Sequence, residues 1–299
     1  MSSESNDEGA LLRVASLAGI EVDSTMSASF GRLDPSAPAD YRALAVLLAS
    51  RWSARPPRNV GLGGGQGAGK STLGRVIDAA GAHFGLRIAV LGLDDFYLSK
   101  ARRRELAAQS HPLFEMRGPP GTHDIRGCAE ATERLHEAGE VELPTFDKGL
   151  DDLGPSRCLT GPFDIVVLEG WCVGATARPL AELEEPINEL ERESDPQGSW
   201  RRAVNQHLAT DYAEAWNRLD DVVYLEAPGL DAVRRWRLQQ EETLPEARRL
   251  GRKGVDRFVA YYERITRSML EGQSSMADVH VRLAEDHTIA ALRLAARRD

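Results

Sequence analysis

Gly64-Gly65-Gln66-Gly67-Ala68-Gly69-Lys70-Ser71 fits G-x-x-x-x-G-K-[ST], the pattern of a phosphate-binding loop. The chemistry requires these residue types. Glycines let successive backbone N–H groups turn toward one anion with no Cβ in the way. A lysine in the place of Lys70 reaches the β- and γ-phosphates, and a hydroxyl in the place of Ser71 ligates Mg²⁺. Chance alone yields roughly one such match per hundred chains of this length. The flanks favour the functional reading. Asn59-Val60-Gly61-Leu62 reads as a strand entering the loop. Ser71 to Ala80 reads as a helix whose N-terminal dipole faces the phosphates. Gly64, Gly65, Gln66, Gly67, Ala68, Gly69, Lys70, Ser71 and Thr72 are therefore the expected nucleotide contacts, with Mg²⁺ beside the phosphates.

Outward from the loop, apolar runs of strand length recur at Arg87–Leu93, Asp164–Gly170, Asp221–Leu225 and Val279–Leu283, separated by helical patterns. Such alternation predicts an α/β fold, a doubly wound and mostly parallel sheet flanked by helices, of the phosphate-loop NTPase type. Residues 1–9 read as a disordered polar tail, 10–55 as a helical N-terminal segment and 56–299 as the phosphate-loop domain. Val255 to Leu270 reads as one long helix, and a terminal helix is expected from about Thr288. Residues 175–199, acidic and carrying Pro179, Pro186 and Pro196, read as a surface insertion or mobile segment.

The 299 residues are 42% hydrophobic and carry a net charge of -9, which argues against a nucleic-acid surface. An anionic small-molecule substrate would then need local positive charge. No apolar run is long enough to span a bilayer. Three widely spaced cysteines, Cys128, Cys158 and Cys172, suit neither a zinc site nor a disulfide framework and point to reduced thiols in a cytoplasmic protein. Oligomeric state is not readable.

Two acids stand at strand ends, where an open parallel sheet faces its ligand. Asp94, followed by Asp95, ends the second run; a carboxylate there takes a proton from an attacking hydroxyl, holds metal, or simply caps a helix. Glu169 ends the third run and reads as a metal-side acid beside Ser71 and Asp94. Arg117-Gly118-Pro119-Pro120-Gly121-Thr122-His123-Asp124 packs donors and one titratable ring into a glycine-rich loop. Arg117 suits a carboxylate, and Thr122 and His123 suit hydroxyls; an ordinary surface turn has the same composition. Lys148 suits a substrate anion or is an exposed lysine. Arg234, Arg235 and Arg237 share one helix and could close over the γ-phosphate like a lid, with Arg237 first, or form a solvated face with Glu241 and Glu242. The aromatics Tyr261 and Tyr262 read as core.

Taken in order, these blocks resemble one family. Gly65–Thr72, Leu93-Asp94-Asp95-Phe96-Tyr97-Leu98, Arg117–Asp124, Phe146-Asp147-Lys148, Leu168-Glu169-Gly170-Trp171-Cys172-Val173-Gly174, Trp236–Glu241 and Phe258–Arg264 look like the plant- and fungal-type glycerate kinases. The match runs from about Val60 to Leu283. The first block is common to all phosphate-loop proteins; the Arg-Gly-x-x-Gly-Thr-His-Asp and Glu-Gly-Trp blocks are far more specific. The family belongs with uridine kinase, phosphoribulokinase and pantothenate kinase. The resemblance implies ATP–Mg²⁺-dependent phosphorylation of D-glycerate to 3-phosphoglycerate, with Asp94 as catalytic base and Asp95 assisting. Lys70 and Arg237 act on the transferred group, and Asp95, Tyr97, Arg117, Thr122, His123, Asp124 and Lys148 lie on the substrate side. A nucleoside, pantothenate or another small alcohol as acceptor, or a nucleotide-binding regulator without transfer, remain the alternatives.

Overall fold

The computed structural model describes residues 4–242, 249, 251–272 and 277–295. Three helices open it, α1 (Glu4–Leu17), α2 (Ser24–Arg32) and α3 (Ala39–Ala54). β1 (Asn59–Gly64) then leads through the phosphate loop into α4 (Lys70–His83), and β2 (Ile88–Gly92) follows. After α5 (Lys100–Gln109) and α6 (Ile125–Arg134) come four short strands, β3 (Gly139–Leu143), β4 (Phe146–Asp147), β5 (Asp152–Leu153) and β6 (Arg157–Gly161). β7 (Ile165–Gly170) returns the chain to the main sheet, and α7 (Glu189–Ser194), α8 (Ser199–His207) and α9 (Ala213–Trp216) lead to β8 (Asp221–Glu226). The last elements are α10 (Leu230–Glu242), α11 (Gly251–Ala260), α12 (Glu263–Leu270), β9 (Val279–Leu283) and β10 (Ile289–Leu294).

The six-stranded sheet has the order β10-β9-β8-β1-β7-β2. All neighbours run parallel except the edge pair β9–β10. This is the doubly wound α/β architecture read from the strand–helix alternation. Its central strands are apolar on both faces because helices cover both. The pleat sorts their side chains: Ile165 and Val167 enter one core, Val166 and Leu168 the other. The first core also contains Leu11, Val14, Tyr41, Leu44 and Trp52, so α1–α3 pack on the same sheet face as α4. The separate excursion, β3 paired with β6 and β4 with β5, carries side chains to the carboxyl edge of the main sheet.

Four local expectations are corrected. Glu4–Gly9, read as part of a disordered tail, form the first turns of α1, continuous with the buried face of Ala10, Leu11 and Val14; residues 1–3 lie outside the described residues. Ile289–Leu294, helical in composition, is a strand because pairing with β9 overrides propensity. The turn between them is closed by Asp286, whose carboxylate accepts from the N–H and hydroxyl of Thr288. The long helix breaks into α11 and α12 at Tyr261–Tyr262. The 175–199 segment is folded: Leu183 and Leu190 are buried, and the Asp195 carboxylate pairs with Arg201 at 3.1 Å with both side chains essentially inaccessible. Asp195 also accepts from the backbone N–H of Trp200 and Arg201, so its remaining lone pairs are satisfied inside the protein.

Candidate active site

The register of the parallel strands gathers the site. β1 places Leu62 opposite Glu169, and β2 places Gly92 opposite the same residue. The phosphate loop, the turn at Leu93–Phe96 and the end of β7 therefore meet at one edge, around an open cleft of about 530 Å³. Six basic side chains line it, Lys70, Arg75, Arg117, Lys148, Arg157 and Arg237, against three acids, Asp94, Asp95 and Glu169. This is a basic cleft in an acidic chain, the local charge an anionic ligand requires.

On the loop side, the Lys70 ammonium donates to the carbonyls of Gly64 and Gly65 at 2.8 and 3.0 Å. Burial pulls its pKa down, opposed by the charges of Glu169 and Asp94. The Ser71 hydroxyl donates to Glu169 Oε1 at 2.6 Å. Asp95 leans toward the same place: a Cβ on Gly92 would lie 3.6 Å from Asp95 Oδ2 and 3.9 Å from Glu169 Oε1. A hydroxyl and two carboxylates are the oxygen donors that suit Mg²⁺, which keeps several waters and takes its other ligands from phosphates. Among the described residues no three His, Cys, Asp or Glu side chains gather into a cage, and Mg²⁺ at a phosphate loop needs none.

Asp94, expected both as base and as metal ligand, is turned to the opposite side. Oδ1 accepts from the Tyr97 hydroxyl at 2.9 Å and Oδ2 from Lys148 Nζ at 2.7 Å. Burial raises its pKa, but the charge and hydrogen bond of Lys148, helped by His123 and Tyr97, bring it below the ordinary carboxylate range. Asp95 goes the other way: burial raises it, and Arg157, 3.7 Å away, only partly compensates. Arg117 lines the cleft paired with Asp151, its guanidinium 5.5 Å from the centre of the Phe146 ring. The buried Arg103 also grips Asp151, so the β4–β5 hairpin that carries Lys148 is moored beside Arg117.

The Arg117–Asp124 loop divides into residues that face the cleft and residues that shape it. Thr122 is buried, its hydroxyl accepting from Gly118 N–H and donating to Pro119 O. Asp124 caps α6 by accepting from Gly127 N–H. Neither lines the cleft. His123 stands behind Tyr97, their rings stacked at 4.5 Å, with Nδ1 2.6 Å from the Tyr212 hydroxyl. Burial depresses its pKa to about 4 against the pull of Asp94. The unfolded chain takes up this proton near pH 6.5 and the folded one does so only near 4. Stability should therefore fall on acidification across that window, by about 3 kcal/mol. Denaturant melts of wild type and His123→Phe at neutral and mildly acid pH check this. The variant should lose distinctly less; equal losses would contradict the assignment.

Of the lid arginines, only Arg237 lines the cleft. It rests against Glu241 and over Phe258, with its guanidinium 4.8 Å from the ring centre. Arg234 pairs with Asp231 and Glu263, and Arg235 with Glu285. Arg157, Arg75 and Gln240 were not singled out from the sequence, and Tyr262, read as core, lines the cleft. Only Gln240 and Tyr262 fall in recognised blocks; nothing local marks Arg157, which reaches the site because β6 does.

A phosphate loop on a doubly wound sheet, facing a basic cleft with an acid pair, defines a phosphate-loop kinase. The chain is 34% identical over 202 residues to the uncharacterized kinase mug58 of Schizosaccharomyces pombe, covering 63% of this chain and 71% of that protein, and it belongs to that kinase family. It is an ATP-dependent phosphotransferase. It is also 29% identical over 223 residues to the chloroplastic D-glycerate 3-kinase of Arabidopsis thaliana, covering 69% of this chain and 46%, less than half, of that protein. The fold is shared with the D-glycerate 3-kinase of Cryptococcus neoformans var. grubii, at a TM-score of 0.66 and 24% identity over 91% of this chain and 99% of the other. No protein-family model matches the chain. No helix among the described residues is long and apolar enough to cross a membrane.

Proposed function

We propose that this kinase phosphorylates D-glycerate on its terminal hydroxyl, giving 3-phosphoglycerate, in the cytoplasm and with Mg²⁺. The carrying observation is the acceptor side of the cleft, where Lys148 meets Asp94, Arg157 meets Asp95, and Arg117 stands next to them on Asp151. A base ringed by cations suits an acceptor that is both an alcohol and an anion. Two D-glycerate 3-kinases among the relatives agree with that chemistry.

In this reading the triphosphate lies on Gly64–Thr72, with Lys70 on its β/γ oxygens. Ser71 and Glu169 hold the metal side, with Asp95 next to them. Mg²⁺, when bound, neutralises charge on the phosphates. Arg117 and Arg157 take the acceptor carboxylate. Asp94 keeps free lone pairs after its bonds to Tyr97 and Lys148, and one of them receives the acceptor proton. The acceptor oxygen bonds to the γ-phosphorus as its bond to the β-bridging oxygen breaks, and Arg237 steadies the moving group. Positioning and electrostatics supply the rate.

A panel of hydroxy acids, nucleosides and pantothenate with ATP tests this. The highest kcat/KM is expected for D-glycerate, by at least about tenfold, the discrimination that one unpaired charged contact supplies. A preference for a nucleoside or pantothenate would move the reading to another acceptor. Acceptor-independent ADP release would make the protein an ATPase.

A further inference from the structure

The phosphate loop is gripped from behind by side chains of both chain ends. The Tyr41 hydroxyl, on α3, donates to Ala68 O at 2.6 Å in a buried contact. His287 Nε2, in the β9–β10 turn, lies 2.9 Å from Gly67 O; facing a carbonyl, that nitrogen carries the proton. The loop turns here through glycines with left-handed backbone, at φ +78° for Gly69 and +79° for Gly67. A Cβ on Gly69 would lie 2.5 Å from the Tyr41 ring, and one on Gly67 would lie 2.5 Å from Cβ of Trp236, on which His287 stacks at 4.1 Å.

The two grips are joined. Asp40, the neighbour of Tyr41, accepts from Ile289 N–H at 2.6 Å and pairs with Arg13, which in turn donates to Ile289 O at 2.9 Å. Helices α1 and α3 and the C-terminal hairpin thus form one yoke around the back of the loop.

The consequence follows from peptide geometry. In a planar trans peptide the C=O and the next N–H point in opposite directions. Holding Gly67 O outward turns Ala68 N–H into the loop, where it meets Gly65 O at 3.2 Å. Holding Ala68 O outward turns Gly69 N–H inward as well.

We propose that Tyr41 and His287 are positioning residues for the nucleotide phosphates: by pinning two consecutive loop carbonyls they fix the loop's turn, His287 through the Ala68 N–H that closes on Gly65 O and Tyr41 by aiming the Gly69 amide at the anion. The N-terminal helices, outside every phosphate-binding motif of this chain, thereby belong to the nucleotide site. The inference rests on the nucleotide reading of the loop and not on the identity of the acceptor.

The test is direct binding to the full chain without acceptor, by calorimetry with ATP and by competition with inorganic tripolyphosphate. Tyr41→Phe keeps the ring and removes only the donor. It should weaken both ligands by the same factor, about tenfold, as expected for one lost buried hydrogen bond. In turnover, the KM for ATP should rise while kcat and the acceptor KM stay within about twofold, the signature of lost uniform binding. His287→Asn, which tolerates left-handed backbone but cannot reach Gly67, should repeat the pattern from the other chain end and serves if Tyr41→Phe fails to fold. Unchanged affinity for ATP and tripolyphosphate in a folded variant overturns the proposal. So does a loss that raises the acceptor KM equally. A wild-type chain that binds neither ligand overturns the nucleotide reading with it.

Discussion

Asp94→Asn is expected to lower kcat by between about a hundredfold and ten-thousandfold, the range for loss of a positioned general base, with the KM for ATP little changed. The substitution is nearly isosteric, but one of the two acceptor oxygens becomes an NH₂ donor, so only one of the Tyr97 hydroxyl and the Lys148 ammonium keeps its partner. What is removed is the group that takes the acceptor proton. The low pKa of Asp94 is compatible with this role. Phosphoryl transfer runs through a loose transition state with little bonding to the acceptor, so a weak base in the right place suffices. The sign with pH follows: a carboxylate held below the ordinary range by Lys148 is ionised throughout the neutral region. Activity requiring that ionised form should show no acid limb from Asp94 between about pH 5 and 8. Steady-state kinetics across pH check both statements. Near-full activity in a folded Asp94→Asn protein would remove Asp94 from the mechanism.

Lys70→Ala is expected to reduce kcat on the order of a thousandfold, comparable to loss of a preorganised charge-stabilising donor. Lys70 is buried against the Gly64 and Gly65 carbonyls, and burial depresses its pKa, so the apo site holds its charge at a disadvantage. Phosphates arriving on the loop reverse that balance, which makes the interaction strongest where charge develops. Lys70→Arg should not rescue, because a planar guanidinium does not fit a point-charge site at the helix start. A kcat within tenfold of wild type would exclude the assigned role.

Legibility in the sequence tracks how local each determinant is. The phosphate loop, the strand ends at Asp94 and Glu169, and the parallel sheet were readable because glycine spacing and short apolar runs encode them directly. The meeting of Ser71 with Glu169 follows from register once those strands are parallel neighbours. The Arg117–Asp124 block was readable as a motif but not by role. Thr122 and Asp124 maintain the loop and its helix cap, and a motif does not separate residues that touch ligand from residues that hold the ones that do. Asp94 and Asp95 likewise look equivalent in sequence. Only the fold turns one toward Lys148 and leaves the other beside Glu169. Arg157 and the Tyr41 and His287 grips were out of reach, because each depends on a contact between segments distant along the chain. Ile289–Leu294 misled for the same reason, its strand state being imposed by β9.

The central claim is transfer of the γ-phosphoryl group to the terminal hydroxyl of D-glycerate. Phosphorus NMR of the full chain incubated with ATP, Mg²⁺ and D-glycerate, beside the same mixture without glycerate, tests it most directly. The predicted result is ADP together with a phosphate ester split into a triplet by the two protons of its terminal carbon, in the glycerate reaction alone. ADP with inorganic phosphate in both tubes, or no consumption of ATP in either, would contradict the account.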